Sequence, residues 1–346
     1  MAMNFYFKQK EFKMKNLFFV FIAILLCAGL TFAQTNNATV NQTGDENDGD
    51  VTQTGATNTA TVDQYGKNLA EVDQTGTSNN ADVDQGTAAV PRSNNHPPAY
   101  VGDHEWGAWI EQVGNTNTAV IDQQGNSGSA DIYQLGNLNE GYQEINTFAS
   151  GATSTTRKGL DIDQIGDENW ANQKTVASFG SFGIKKMYVD QIGDNNLADQ
   201  YSKGGMQSTM EIRQEGNGND YTVDVSATGK PSPLAMSFVD KPAGDFTQYQ
   251  NGRFSTASID ILGDDNHTAQ YQEYTVWSTS GANYAEIDIL GDFNNAAQGQ
   301  IGENNTATID MVGDANVGAI SQTGSSHIGD ITQTGNNNTS SVIQSD

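Results

Sequence analysis

The stretch Gln53-Thr54-Gly55-Ala56-Thr57-Asn58-Thr59-Ala60-Thr61-Val62-Asp63-Gln64 decides the fold. Its last five residues alternate with period two. Ala60, Val62 and Gln64 face one way, and Thr61 and Asp63 the other, as in a half-buried strand. Gly66 then permits a tight turn, and Asn68 sits where its amide can bond the backbone of the bend. The unit returns as Gln112-x-Gly114-x-x-Asn117-x-Ala119-x-x-x-Gln123, and Ile289, Gln300, Met311, Gln322, Gln333 and Gln344 keep a strict spacing of eleven. A disordered polar tract would hold no such register.

Each unit reads as one strand and one turn, so two units form a turn of about 22 residues that stacks on the next at roughly 4.8 Å. The expected fold is all-β, a two-sided β-solenoid. About 23 units are anchored near positions 42, 53, 64, 74, 85, 112, 123, 134, 143, 164, 173, 191, 200, 214, 225, 261, 272, 289, 300, 311, 322, 333 and 344. Stacked amides can hydrogen-bond their own copies along the axis. The expected ladder residues are Gln42, Gln53, Gln64, Gln74, Gln112, Gln123, Gln134, Gln164, Gln191, Gln214, Gln300, Gln322 and Gln333, with Asn58, Asn117, Asn196, Asn305 and Asn338. The expected turn glycines are Gly55, Gly114, Gly136, Gly166, Gly193, Gly291, Gly313 and Gly335.

The composition suits this reading. Only 36% of the residues are apolar, too few for two conventional cores in 346 residues. Residues 1–33 read as a signal peptide: Lys8, Lys10, Lys13 and Lys15, then an apolar run from Leu17 to Leu30, then Thr31-Phe32-Ala33. Met14 is an alternative start. The run is short for a membrane span, and no later stretch is apolar enough to be one. Cys27, the only cysteine, follows Leu26, which is too large for a lipoprotein signal, so the mature chain is expected outside without disulfides. Cleavage removes four of 16 basic and one of 42 acidic residues, taking the formal charge from −26 to −29. That charge excludes nucleic acid and anionic membranes as electrostatic partners.

The solenoid, residues 34–346, is interrupted near 86–105, 147–158, 174–187, 201–207, 226–254 and 273–282. All six interruptions follow odd-numbered units, so they should emerge from one edge, while the other keeps a uniform Gly-x-x-Asn turn. Such an edge is either a binding surface or drift in exposed loops. The first unit, Asn37 to Gly44, and the last, Asn338 to Gln344, both match the repeat. Neither looks like a cap, so both end strands read as open edges, and a head-to-tail contact between them gives a filament.

The pattern Gln-x-Gly-x-x-Asn-x-Ala-x-x-x-Gln resembles the repeat of the curlins, subunits of the functional amyloid of bacterial biofilms, over most of the mature chain. Ile261, Ile289 and Met311 depart from it at the anchor. The resemblance implies export through an outer-membrane pore, nucleated assembly at the cell surface, and a role in adhesion and matrix. The partners it implies are further copies of the chain, the pore and a nucleator, with no membrane insertion.

No catalytic constellation stands out. His96, His104, His267 and His327 are scattered, and no enzyme activity or cofactor is expected. Asp45-Glu46-Asn47-Asp48-Gly49-Asp50 only hints at a calcium loop, its Gly being one residue early. Outward Asp63, Asp73, Asp84, Asp122, Asp163, Asp190, Asp260, Asp288 and Asp310 precede the anchors, and where they stack, salt, acid or weakly bound Ca²⁺ should favour assembly. The alternative to a polymerising subunit is a monomeric solenoid adhesin that binds through its insertion edge. An ice-binding solenoid would need a flat Thr face, whereas here Thr is mixed with Asp, Tyr and Glu.

Overall fold

The computed structural model describes residues 35–86, 107–124, 129–146, 159–176, 185–203, 208–220, 248–251, 255–273 and 282–346. The expected signal peptide, His96 and His104 lie outside them.

Among the described residues, twenty-three strands follow one another: β1 (Asn37–Thr43), β2 (Asp48–Ala56), β3 (Thr59–Tyr65), β4 (Leu69–Thr77), β5 (Asn80–Gln85), β6 (Gly107–Asn115), β7 (Thr118–Gln123), β8 (Ser129–Asn137), β9 (Glu140–Asn146), β10 (Gly159–Ile165), β11 (Trp170–Val176), β12 (Lys185–Ile192), β13 (Leu197–Lys203), β14 (Ser208–Glu215), β15 (Gln248–Asn251), β16 (Thr256–Leu262), β17 (His267–Glu273), β18 (Tyr284–Leu290), β19 (Asn295–Glu303), β20 (Thr306–Val312), β21 (Val317–Ser325), β22 (Ile328–Thr334) and β23 (Thr339–Ser345). Odd strands form a 12-stranded sheet and even strands an 11-stranded one, each in sequence order. Every pairing is parallel and joins a strand to the one two places on, as in β1 with β3 and β2 with β4. The protein is a two-sided β-solenoid.

The pleat explains the thin core. Each strand turns three residues inward, typically Ala, Val or Ile, and Gln, and the register stacks like on like: Ala38 on Ala60, Val40 on Val62, Gln42 on Gln64. Ala60, Val62, Ala130 and Ile132 are fully buried. Parallel pairing without slippage requires this, since a one-residue shift would turn every inward side chain to solvent.

The edge joining even to odd strands is uniform through eleven turns. Its glycines, from Gly55 to Gly335, take φ between 102° and 143°, and the residue two places on is left-handed as well. That second residue is rarely glycine; Thr57, Leu138 and Phe293 hold φ of 58–59° there. Their cost is offset by backbone bonds between stacked turns, such as Ser78 N–H to Ala56 O at 3.0 Å.

On the other edge, residues 87–106, 125–128, 147–158, 177–184, 204–207, 252–254 and 274–281 lie outside the described residues, each following an odd strand. The strands run further than the sequence suggested: β11 continues to Val176, β12 resumes at Lys185, and β13 reaches Lys203. The largest interruption is also displaced. It does not follow unit 15 but divides it: Asp220 bridges to His267, and the strand resumes at Gln248. Position 225, expected as the anchor, lies outside the described residues, and Gln250 takes that place. The sequence Gln248-Tyr249-Gln250 wins because it repeats Gln270-Tyr271-Gln272 rung for rung. The amides bond, and the tyrosine rings stack with centroids 4.9 Å apart.

Candidate functional site

The features able to act are the axial ladders, the two ends and the outward acidic columns. Each buried Gln has two amide protons and an acceptor to satisfy. Gln134 Nε2 donates to Gln164 Oε1 on the next rung (2.8 Å) and across the core to Thr118 O (3.0 Å), while its own Oε1 accepts from Gln112 Nε2 (2.8 Å). The even-sheet ladder joins Gln53, Gln74, Gln112, Gln134, Gln164, Gln191 and Gln214 in this way. It stops at Ile261, Ile289 and Met311. Gln333, expected in the ladder, therefore stands apart: its Oε1 finds no donor, because its neighbour Met311 carries none.

On the odd sheet the anchors 143, 173 and 200 need correction. Ile145, Thr175 and Ser202 occupy the anchor column, and Gln143, Gln173 and Gln200 lie two residues earlier, in register with Ile121. The anchor column holds a ladder of Gln42, Gln64, Gln85 and Gln123, and a second of Gln250, Gln272, Gln300, Gln322 and Gln344. Between and beside them runs a third, of Gln143, Gln173, Gln200, Gln248, Gln270 and Gln298. Strands β15, β17 and β19 thus carry two inward Gln each. The even strands that follow them, β16, β18 and β20, are the ones with Ile261, Ile289 and Met311 in place of Gln. The amide content of the core is conserved by exchange between sheets. Met311 also needs room, and Gly318 provides it: a Cβ there would lie 2.3 Å from Met311 Cε.

The asparagines form two columns. At the uniform edge, twelve Asn from Asn36 to Asn338 stand in line, among them Asn58, Asn117 and Asn196, and each Oδ1 but the last accepts the backbone N–H of the next. Several Nδ2 groups also donate to a turn-glycine carbonyl, as Asn117 does to Gly136 (2.8 Å). Asn305 belongs to the opposite edge, bonded to Asn283 and then to His327. Four of the five asparagines expected from the sequence, Asn58, Asn117, Asn196 and Asn338, belong to these twelve, although an Asn three residues after every even-unit glycine marks them all except Asn36.

The outward acidic residues divide between the faces. Asp63, Asp84, Asp122 and Glu144 stack on the odd sheet and end at Lys174, which pairs with Glu144. Asp163 and Asp190 stack on the even sheet, followed by Arg213 and then Asp260, Asp288 and Asp310. Arg213 lies 3.4 Å from Asp260 and 2.7 Å from Glu215. Burial, then like-charged neighbours, lift the Asp84, Asp163 and Asp288 carboxyls to about 6 and Asp161 to about 7. Burial likewise lifts Asp199 to about 7, against the lowering effect of the Asn172 hydrogen bond. A carboxyl raised on folding binds more protons folded than unfolded. Its contribution is fully present below about pH 4 and is lost as pH rises through 6–7. The denaturation midpoint should therefore be higher at pH 5 than at pH 8; equal midpoints would contradict this reading of the columns.

Among the described residues, no three His, Cys, Asp or Glu side chains converge on a metal-sized site, and no helix is long and apolar enough to cross a membrane. His267 pairs with Asp220 across a rung.

The terminal rungs differ from the rest. Val40 in β1 is 41% exposed, whereas Val62, its counterpart one rung inward, is 0% exposed. Among the described residues, no strand pairs with the outer edges of β1, β2, β22 and β23.

Residues 34–66 and 108–136 match the model of the Curlin associated repeat. No curated protein matches the chain. The matched stretches hold β1 to β3 and most of β6 to β8, and the same inward Ala, aliphatic and Gln positions, turn glycines and Asn column continue through the strands between and beyond them. The chain carries the Curlin associated repeat in these two stretches.

Proposed function

We propose that the chain is a secreted subunit that polymerises end to end into extracellular, curli-like fibres serving adhesion and biofilm matrix. The carrying observation is the pair of end rungs, which no strand covers among the described residues and where inward residues such as Val40 stand exposed in the geometry that is buried one rung further in. Each added copy covers that surface and continues the parallel pairing and the amide ladders. A dedicated outer-membrane pore and a nucleator are the further partners in this reading. Cations, Ca²⁺ included, aid assembly by screening the acidic columns.

A charge placed in the end rung tests this. In Val40→Asp the carboxylate would have to be buried unpaired at every junction, so elongation followed by thioflavin fluorescence should slow by at least about tenfold. The far-UV spectrum of the unassembled chain should stay unchanged. Elongation at the unmodified rate would remove the end-to-end contact. A native chain that stays monomeric at every concentration would favour the adhesin reading.

A further inference from the structure

The two sheets do not have the same number of strands, and this constrains how copies can join. The odd sheet has 12 strands and the even sheet 11 among the described residues. Successive strands alternate between the sheets, and β23 lies on the 12-stranded one, above β21. The next position along the solenoid is therefore on the 11-stranded sheet, above β22.

Suppose a second copy were added by translation alone. Its β1 would pair with β23, and its β2 would face β22 across an empty strand position. The facing backbone edges of β22 and β2 would remain unpaired beside a void one strand wide, at every junction. A half-turn about the axis removes the defect, because β1 of the new copy then pairs with β22 and its β2 with β23. Two copies contribute 23 strands to each side, and neither sheet is interrupted.

We infer, resting on the polymerisation proposed above, that successive copies in the fibre are related by a half-turn screw. The end rungs accommodate it. With anchors aligned, β22 offers Gly329, Ile331 and Gln333 to Ala38, Val40 and Gln42 of the next copy, small on small, aliphatic on aliphatic and amide on amide. Likewise β23 offers Ser340, Val342 and Gln344 to Gly49, Val51 and Gln53. The ladder polarity also matches. Along the chain each Nε2 donates toward the C-terminal end, as Gln53 does to Gln74 and Gln322 to Gln344. The C-terminal end thus presents amide donors, and the N-terminal end presents the Oε1 atoms of Gln42 and Gln53. Gln333 now spends a proton on Ser340 Oγ at 3.0 Å, which the new Gln42 can replace. On the outer faces Asp330 meets Thr39, and Asp50 meets Ser341, so no like charges oppose each other at the junction.

The screw has a visible consequence. The interrupted edge points to opposite sides of the fibre in alternate copies, recurring on one side every ~110 Å at about 4.8 Å per rung.

Helical reconstruction by electron cryomicroscopy of fibres grown from residues 34–346 tests the inference. The expected symmetry is a rotation of about 180°, apart from the solenoid's own twist, with a rise of ~55 Å at about 4.8 Å per rung. A chain ending at Gly335 has eleven strands in each sheet, and its fibres should lose the half-turn and rise by ~53 Å. Full-length fibres related by translation, rising ~58 Å, would overturn the screw and leave the proposed polymerisation standing. Absence of fibres would overturn polymerisation itself, and the screw with it.

Discussion

Gly114→Ala should lower the unfolding free energy by roughly 3 kcal/mol or more, combining a backbone cost and an overpacking cost of about 1–3 kcal/mol each. Two observations set this size. Gly114 holds φ at 132°, a region that L residues rarely enter. A Cβ there would lie 1.8 Å from the Gly136 carbonyl oxygen of the next turn, and that oxygen is itself held by Asn117 Nδ2. The stacked turns cannot part at one point without breaking the Asn column beside them. Gly159→Ala is the control, because a Cβ there meets only Ser129 Oγ, at 3.6 Å. It should change stability by less than about 0.5 kcal/mol. Guanidinium denaturation of both variants measures the difference, and equal midpoints would remove the close-packed glycine edge from the account.

The second large effect is in the core. Gln134→Leu keeps the volume but removes one hydrogen bond each from Gln112 Nε2, which keeps only Asn80 O, from Gln164 Oε1 and from Thr118 O in one step. Each unsatisfied buried group costs about 1–3 kcal/mol, so a loss of roughly 3 kcal/mol is expected after partial relaxation. The converse experiment is more discriminating. Ile289→Gln inserts an amide between Ile261 and Met311, neither of which can bond it, and should destabilise. Ile261→Gln, Ile289→Gln and Met311→Gln together connect Gln214 to Gln333 and give Gln333 Oε1 its missing donor. The triple variant should be less destabilised than the sum of the three single ones, the non-additivity expected of one bonded network. Simple additivity would mean that the amides act independently, not as a ladder.

The solenoid, its two faces and its uniform edge were legible because turn chemistry and strand period repeat together. Gly and Asn three residues apart fix the edge, and the alternation that follows fixes the inward face. Register within a face was less legible, for a geometric reason. A shift of two residues along a strand keeps every side chain on its own side. Gln143, Gln173 and Gln200 therefore face the core as well as an anchor Gln would, and nothing local separates the two columns. Neighbouring rungs decide it: Gln143 begins a ladder that continues to Gln298, while Ile145, Thr175 and Ser202 fill the vacated column. Unit 15 departs from its expected position near 225 for a related reason. Tyr221-Thr222-Val223-Asp224-Val225 alternates like the template, but Gln248-Tyr249-Gln250 matches both neighbouring rungs, and fit across the sheet outweighs the local pattern. The loss of Gln at Ile261, Ile289 and Met311 reads in sequence as decay of the repeat. It is explained only by the doubled Gln on the facing strands, a pairing that becomes visible once both sheets are in place.

Electron microscopy of purified residues 34–346, followed over time at several concentrations, decides whether the chain polymerises end to end. Unbranched filaments are expected, one solenoid or a small bundle wide, that lengthen with time and form faster at higher concentration. A population of single short particles, unchanged in length at every concentration and time, would contradict polymerisation.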